Sequence, residues 1–207
     1  AMSTPEKFCE LSFANSGYLS ELWAVHDLIR LRRLFPNRWS PARQKQLLDE
    51  ARHARILLDL LRRANFPVVV DLKYSMQRRL YGRYVDLSES NSVDEAAEVH
   101  DLTEHRATWI YKTYLRHGCD PDLRKICLEI LEDEKDHIQT NAEVGGSPIL
   151  RSALKTIDRQ IFRSDLPRKY GPVMLFSNDF WFDYFAGSER ITAREAQTLH
   201  EQITTTA

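Results

Sequence analysis

Cysteine, glycine and proline are scarce in this chain, at 3, 7 and 8 of 207 residues. The three cysteines (Cys9, Cys119 and Cys127) are odd in number and include no C-x-x-C pair. That excludes a disulfide framework and a structural zinc site, and it suits a reducing compartment. So little glycine and proline argues against strands joined by tight turns and favours long helices. A surplus of either charge is also missing: 29 Lys and Arg face 30 Asp and Glu, a formal net charge of −1. No bulk field therefore recruits nucleic acid or a membrane. No apolar run approaches the roughly 20 residues of a membrane span, and the N-terminus lacks the charged-then-apolar order of a signal peptide. The expected setting is cytoplasmic.

What is present is ordinary for a globular domain, 43% apolar and 29% charged residues. Helical signals dominate it. A first helix is expected over 15–34, with Leu22, Val25, Leu28 and Ile29 at helical spacing, ending at Phe35-Pro36-Asn37. Ser40-Pro41 then supplies an N-cap with proline at the first helical position. The second helix carries Leu47, Leu48, Ile56, Leu57, Leu60 and Leu61 and stops before Asn65-Phe66-Pro67. Residues 67–91 show no long period, which suits a long crossover between two parallel helices of a bundle. Ser92 and Glu95 form a capping box for a third helix that reaches His117, with Gly118 as its stop. Asp120-Pro121 opens a fourth helix running to about Glu143, closed by Gly145-Gly146. The expected fold is an all-α four-helix bundle over about 15–145, with a helical extension over about 147–207 in the same domain. That extension holds a fifth helix from Ser147-Pro148 to about Phe162 and a terminal helix capped by Thr192 and Glu195. Between them lies an aromatic cluster of Phe176, Phe180, Trp181, Phe182, Tyr184 and Phe185, read as packing against the bundle or as a lid or dimer contact.

Two segments carry chemistry. Asp49-Glu50-Ala51-Arg52-His53 lies in the second helix and Asp133-Glu134-Lys135-Asp136-His137 in the fourth. Both read D-E-x-x-H, and no other glutamate of the chain has a histidine three residues later. Positions i and i+3 share a helix face, so each Glu and His can hold one metal from one side. Two such helices, with one glutamate from each remaining helix, make a di-iron or di-manganese carboxylate site. Glu21 precedes Glu50 by 29 residues and Glu104 precedes Glu134 by 30, which implies two similar hairpins. Glu21 shares its face with Gly17, Tyr18, Ala24, Val25 and Leu28, and Glu104 with Ala97, Ala107, Tyr111 and Leu115. Glu98, the other third-helix candidate, shares its face with Asn91, Asp94, His105 and Lys112, which suits solvent better.

The candidate ligands are therefore Glu21, Glu50, His53, Glu104, Glu134 and His137. Four carboxylates balance two divalent cations, which matters because unpaired buried charge is costly. Carboxylate and imidazole donors suit Fe(II) or Mn(II), and the absence of thiolates disfavours a softer metal. Asp49 and Asp133 are placed to accept a hydrogen bond from the histidine of the opposite hairpin and so fix its tautomer. One E-x-x-H alone reads as a polar pair on a surface helix. The two copies with matched upstream glutamates carry the signal.

On these six residues and two aspartates, over about 15–143, the chain resembles the ferritin-like superfamily of di-iron carboxylate proteins. Its D-E-x-x-H form is similar to that of bacterial multicomponent monooxygenase hydroxylases. Its size and hairpin spacing look more like the cyanobacterial aldehyde-deformylating oxygenases. It lacks the four-cysteine iron site usual in rubrerythrins. The second E-x-x-H departs from ferritins, and the chain is shorter than a radical-generating ribonucleotide reductase subunit. The resemblance implies an oxygenase or oxidase that uses two iron ions and O₂ on a small organic substrate, with manganese as the other metal the ligands suit. With no G-x-G-x-x-G fingerprint in the sequence, electrons would come from an external reductase or other donor. A ferroxidase or peroxidase, and a helical binding protein with a degenerate site, are the competing readings, and a homodimer stays open.

Several other residues have two readings. Tyr18 and Tyr111 lie near proposed ligands and read first as core tyrosines bonded to a carboxylate. Arg52 either pairs with a carboxylate near the site or faces solvent. Arg30, Arg32, Arg33, Arg62 and Arg63 read first as solvated helix ends, second as a patch for an anionic substrate or acidic carrier. His26, His100, His105 and His117 read as surface or helix-end residues.

Overall fold

Pro5 occupies the first position of helix α1, which continues without a break to Leu34. Proline is well placed there because the first N–H of a helix has no intrahelical partner. A 3₁₀ turn over Pro36–Arg38 leads to α2, Pro41–Arg63. Helix α3 spans Val93–His117 and α4 spans Pro121–Val144. The computed structural model describes residues 5–66, 68, 93–144 and 151–152, and among these all regular structure is helical. The crossover, the Ser92 half of its capping box, the Gly145-Gly146 stop, the fifth and terminal helices and the aromatic cluster lie outside the described residues. No described helix is long and apolar enough to cross a membrane.

The caps follow local chemistry. The Ser40 hydroxyl accepts from the Arg43 N–H at 3.1 Å, ahead of Pro41. Asn65 closes α2 in the left-handed region at φ 53°. The Phe66 N–H returns to the Leu61 carbonyl and the Asn65 N–H to Arg62, a Schellman closure with Phe66 and Leu61 both buried. Asp120 Oδ1 caps α4 through the N–H groups of Asp122 and Leu123. At the end of α3, Gly118 is required by space: a Cβ there would collide with the Tyr114 ring.

Cross-helix pairs give the directions. From α2 to α4, Lys45 meets Asp136 and Arg52 meets Glu129, so these helices are antiparallel. From α1 to α3, Glu10 meets Tyr114 and Asp27 meets His100, again antiparallel. Helix α1 also runs against α2, where Glu21 faces His53, and α3 against α4, where Arg124 reaches the Leu115 carbonyl. It follows that α2 and α3 are parallel, the relation that needs a long connection.

The interior divides lengthwise. At one end Leu11, Phe13, Leu19, Leu57, Leu61, Tyr114, Leu123 and Ile130 pack into an apolar block. Toward the other end buried apolar residues such as Trp23, Leu28, Leu31 and Val99 are joined by many buried polar ones: Glu21, Asp27, Arg43, Gln46, Glu50, His53, His100, Glu104, Glu134, His137 and Asn141.

Three expectations need correction here. Helix α1 starts ten residues earlier than residue 15, because residues Leu11 to Ser16 are buried on every face and leave no one-sided apolar stripe to read. Leu48 and Ile29 are exposed, since each falls off the buried face of its helix; on α2 that face runs through residues 43, 46, 47, 50, 53, 54, 57, 60 and 61. His100 is fully buried, with Nε2 2.9 Å from Asp27 Oδ2 and the Trp23 ring stacked on it. A partner aspartate 73 residues away gives no local sequence signal. His26 and His105 are exposed as expected.

Leu57→Ala should lower the unfolding free energy by about 2–5 kcal/mol through loss of burial and the cavity left behind. The exposed Leu48→Ala should change it by less than about 0.5 kcal/mol. Urea denaturation of both variants tests this division of the α2 surface.

Candidate metal centre

The six sequence-selected residues meet in the polar interior, all of them buried. On α2, Glu50 and His53 are three positions apart, as are Glu134 and His137 on α4. Each pair therefore points to one side. His53 Nδ1 stands 3.5 Å from Glu21 Oε2 and 3.9 Å from Glu50 Oε2. His137 Nδ1 stands 3.2 Å from Glu50 Oε1, 3.5 Å from Glu134 Oε2 and 4.0 Å from Glu104 Oε1. Two groups have donor atoms close enough to share a cation: Glu21, Glu50 and His53, and Glu50, Glu104 and His137. Glu50 belongs to both groups. Glu134 joins through its contact with His137.

The far nitrogens of the two imidazoles face outward to the aspartates. His53 Nε2 lies 3.1 Å from Asp133 Oδ2, and His137 Nε2 lies 3.3 Å from Asp49 Oδ2. Each histidine is thus held by the aspartate of the opposite helix, with its proton drawn to Nε2 and Nδ1 left as a donor toward the cluster. Both aspartates are capped from outside by a cation. Lys45 Nζ bridges Asp49 and Asp136 at 3.1 and 3.0 Å, and Arg52 bonds Asp133 and Glu129. Arg52 therefore takes the first of its two readings.

Two uncharged donors orient the remaining glutamates. Tyr111 donates its hydroxyl to Glu21 Oε1 at 2.7 Å, and Gln46 donates its amide to Glu104 Oε1 at 2.9 Å. Tyr111 is the core tyrosine bonded to a carboxylate that its position suggests. Gly17 leaves it room, since a Cβ there would come within 3.2 Å of the hydroxyl. Glu98, expected on solvent, is buried instead. It lies outside the cluster and is gripped at both oxygens by Arg151 at 2.7 and 2.8 Å. An ion pair to a distant, exposed arginine lets a charged residue be buried where the pattern of apolar positions gives no sign of it.

Electrostatics set the cluster's demand. Burial, aided by the nearby Glu104 charge, holds the Glu50 carboxyl well above its ordinary value. Burial with the Glu104 and Glu21 charges does the same for Glu134. Glu21 moves down: burial opposes this, but the neighbouring His53 imidazole, Glu50 and the Tyr111 hydroxyl prevail. For His137, burial works against the imidazolium, yet Glu50, Glu104 and Asp49 raise it to about 9. His53 is raised in the same way by Glu21 and Asp133 against its burial. So many buried carboxylates cannot all stay ionised without positive charge among them.

The donor atoms fit a cation. Glu50 Oε1, Glu134 Oε2, His53 Nδ1 and His137 Nδ1 are buried and form no hydrogen bond, although they stand within 3.2–3.9 Å of neighbouring acidic or basic atoms. Buried polar atoms are almost always bonded, so four unbonded donors in one cluster are arranged as a metal ion could use them. All are oxygen or nitrogen, as Fe(II) and Mn(II) prefer.

Gln46, Arg43, Asn141 and the Asp27–His100 pair went unnoticed in the sequence. Gln46 and Arg43 lie four and seven residues before Glu50, and Asn141 four residues after His137, so helical register alone could have placed them on the site's face. Burial pulls the Arg43 guanidinium below its ordinary value, partly offset by the Glu104 and Asp27 charges. Asp27 is held below its ordinary value: burial opposes, and His100 and Arg30 outweigh it.

A lowered aspartate contributes stability above its unfolded pKa of about 3.9, and that stability fades as pH falls through the folded value. Asp27→Asn should therefore cost about 3–5 kcal/mol at pH 7 by stranding His100 and Arg30. The gap to the wild type should narrow below about pH 4, as read by urea denaturation at both pH values. Comparison of the chain with family models, with curated proteins and with solved structures gave no match in any of the three.

Proposed function

We propose that the chain is a ferritin-like di-iron carboxylate oxygenase or oxidase acting on a small organic substrate with O₂. The observation that carries this reading is the set of orphaned donor atoms in the buried cluster: two imidazole Nδ1 atoms and two carboxylate oxygens. Parallel α2 and α3 joined by a long connection support the ferritin-like topology.

In this reading Glu21, Glu50 and His53 would hold one ion, and Glu50, Glu104, Glu134 and His137 the other, with Glu50 shared. Reduction of O₂ and oxidation of a C–H, C–C or N–H bond is chemistry that a pair of ferrous ions supplies when bound. The chain's share is positional and electrostatic. Asp49 and Asp133 keep the histidine protons on Nε2, so both Nδ1 atoms remain donors. Lys45 pairs with Asp49 at the surface end, and at Asp133 burial is outweighed by His53 and Arg52, which hold the carboxyl below its ordinary value. Tyr111 and Gln46 each anchor one oxygen of Glu21 and Glu104 and leave the other to shift. The apolar block beside Glu21 and Tyr111 excludes water from one side of the cluster. Electrons come from an external donor.

Anaerobic loading with Fe(II), followed by elemental analysis and absorbance after O₂ addition, tests the proposal. About two irons per chain and a transient visible band are expected, both lost in Glu50→Ala and His137→Ala. Asp133→Asn should retain the fold and weaken metal affinity about 10–100-fold. Unaltered binding in those variants would move the protein to the degenerate-site reading. Turnover of Fe(II) or peroxide with no organic substrate would move it to a ferroxidase or peroxidase.

A further inference from the structure

Arg43 is a buried cation with no anion bound to it among the described residues. Its side chain is 4% exposed, and its hydrogen bonds run from Nη1 to the Gln46 Oε1 at 3.0 Å and the Asn141 Oδ1 at 2.6 Å, both neutral amides. The nearest carboxylates are committed elsewhere: Glu104 accepts from Gln46, and Asp27 binds His100 and Arg30. Arg43 Nη2 and Asn141 Nδ2 are buried and make no hydrogen bond. Each belongs to the same planar group as an atom of the Arg43–Asn141 bond, so both unused donors belong to this one bonded pair. A buried guanidinium is expected to have a carboxylate or phosphate in its fork, and leaving one without is costly. Donors without acceptors in a dry interior point to a ligand that brings negative oxygen.

Position gives the ligand its class. Asn141 lies one turn beyond His137, and Arg43 two turns before Glu50, so the pair sits about 6–10 Å along the helices from the cluster at 1.5 Å per residue. It lies on the polar side, opposite the apolar block. We infer that Arg43 and Asn141 form a carboxylate subsite that anchors the acid end of an organic acid while a carbon four to six bonds away reaches the metal cluster. This deepens the proposed function and rests on it for the word substrate; the subsite itself contains no metal ligand.

The test is calorimetric titration of the full chain, Mn(II)-loaded and metal-free, with hexanoate and with uncharged hexanamide. In both forms the wild type should bind hexanoate at least about tenfold more tightly than the amide. Arg43→Met should erase that preference, keep the metal stoichiometry, and leave the thermal midpoint unchanged or higher, because it removes an unpaired buried charge. Asn141→Asp supplies the missing carboxylate from within the chain; it should raise the thermal midpoint and block hexanoate. Equal binding of acid and amide by the wild type would overturn the inference. So would hexanoate affinity that survives Arg43→Met or Asn141→Asp, or a large fall in midpoint in Arg43→Met, which would make Arg43 a structural residue. Failure of the chain to take up Mn(II) would count against the proposed function, while the metal-free titration would still decide the subsite.

Discussion

Four glutamates placed together inside a protein repel one another, and burial removes the water that would relieve them. Much of what surrounds them answers that one constraint. Glu50 and Glu134 are driven toward their protonated forms, while His53 and His137 are driven toward imidazolium. Two divalent cations would balance four carboxylates and allow both imidazoles to be neutral donors. The alternative is a buried web of protons shared among the same carboxylates and imidazoles.

The lengthwise division of the interior turns that local demand into an architecture. The apolar block supplies the burial that holds α1 to α4 together, and it leaves the other half free to carry charge. Such a half costs stability unless each group is compensated. The compensation is visible in chains of contact: Lys45 to Asp49 to His137, Arg52 to Asp133 to His53, Arg30 to Asp27 to His100. Each runs from an exposed or half-buried cation through an aspartate to a buried ring. Arg43 is the exception, and that makes it informative.

The helices of the bundle were legible where one face differs from the other. Helix α2, with its buried stripe and Ser40-Pro41 start, was readable nearly to the residue. The start of α1 was not, because Leu11 to Ser16 are buried all round and leave no periodicity to detect. The six cluster residues could be chosen in advance since a D-E-x-x-H pair is a local pattern repeated at a matched distance. Gln46, Arg43 and Asn141 carry no such pattern, and the burial of Glu98 and His100 depends on Arg151 and Asp27, far away in the chain. Local spacing reveals the cluster; compensation of buried charge is a long-range property that only packing reveals.

The most direct measurement is anomalous diffraction at the iron edge from crystals of the chain loaded with Fe(II). The account predicts two peaks inside the helices, one among Glu21, Glu50 and His53 and one among Glu50, Glu104, Glu134 and His137. A cluster without an anomalous peak, or iron found only at surface carboxylates, would contradict it.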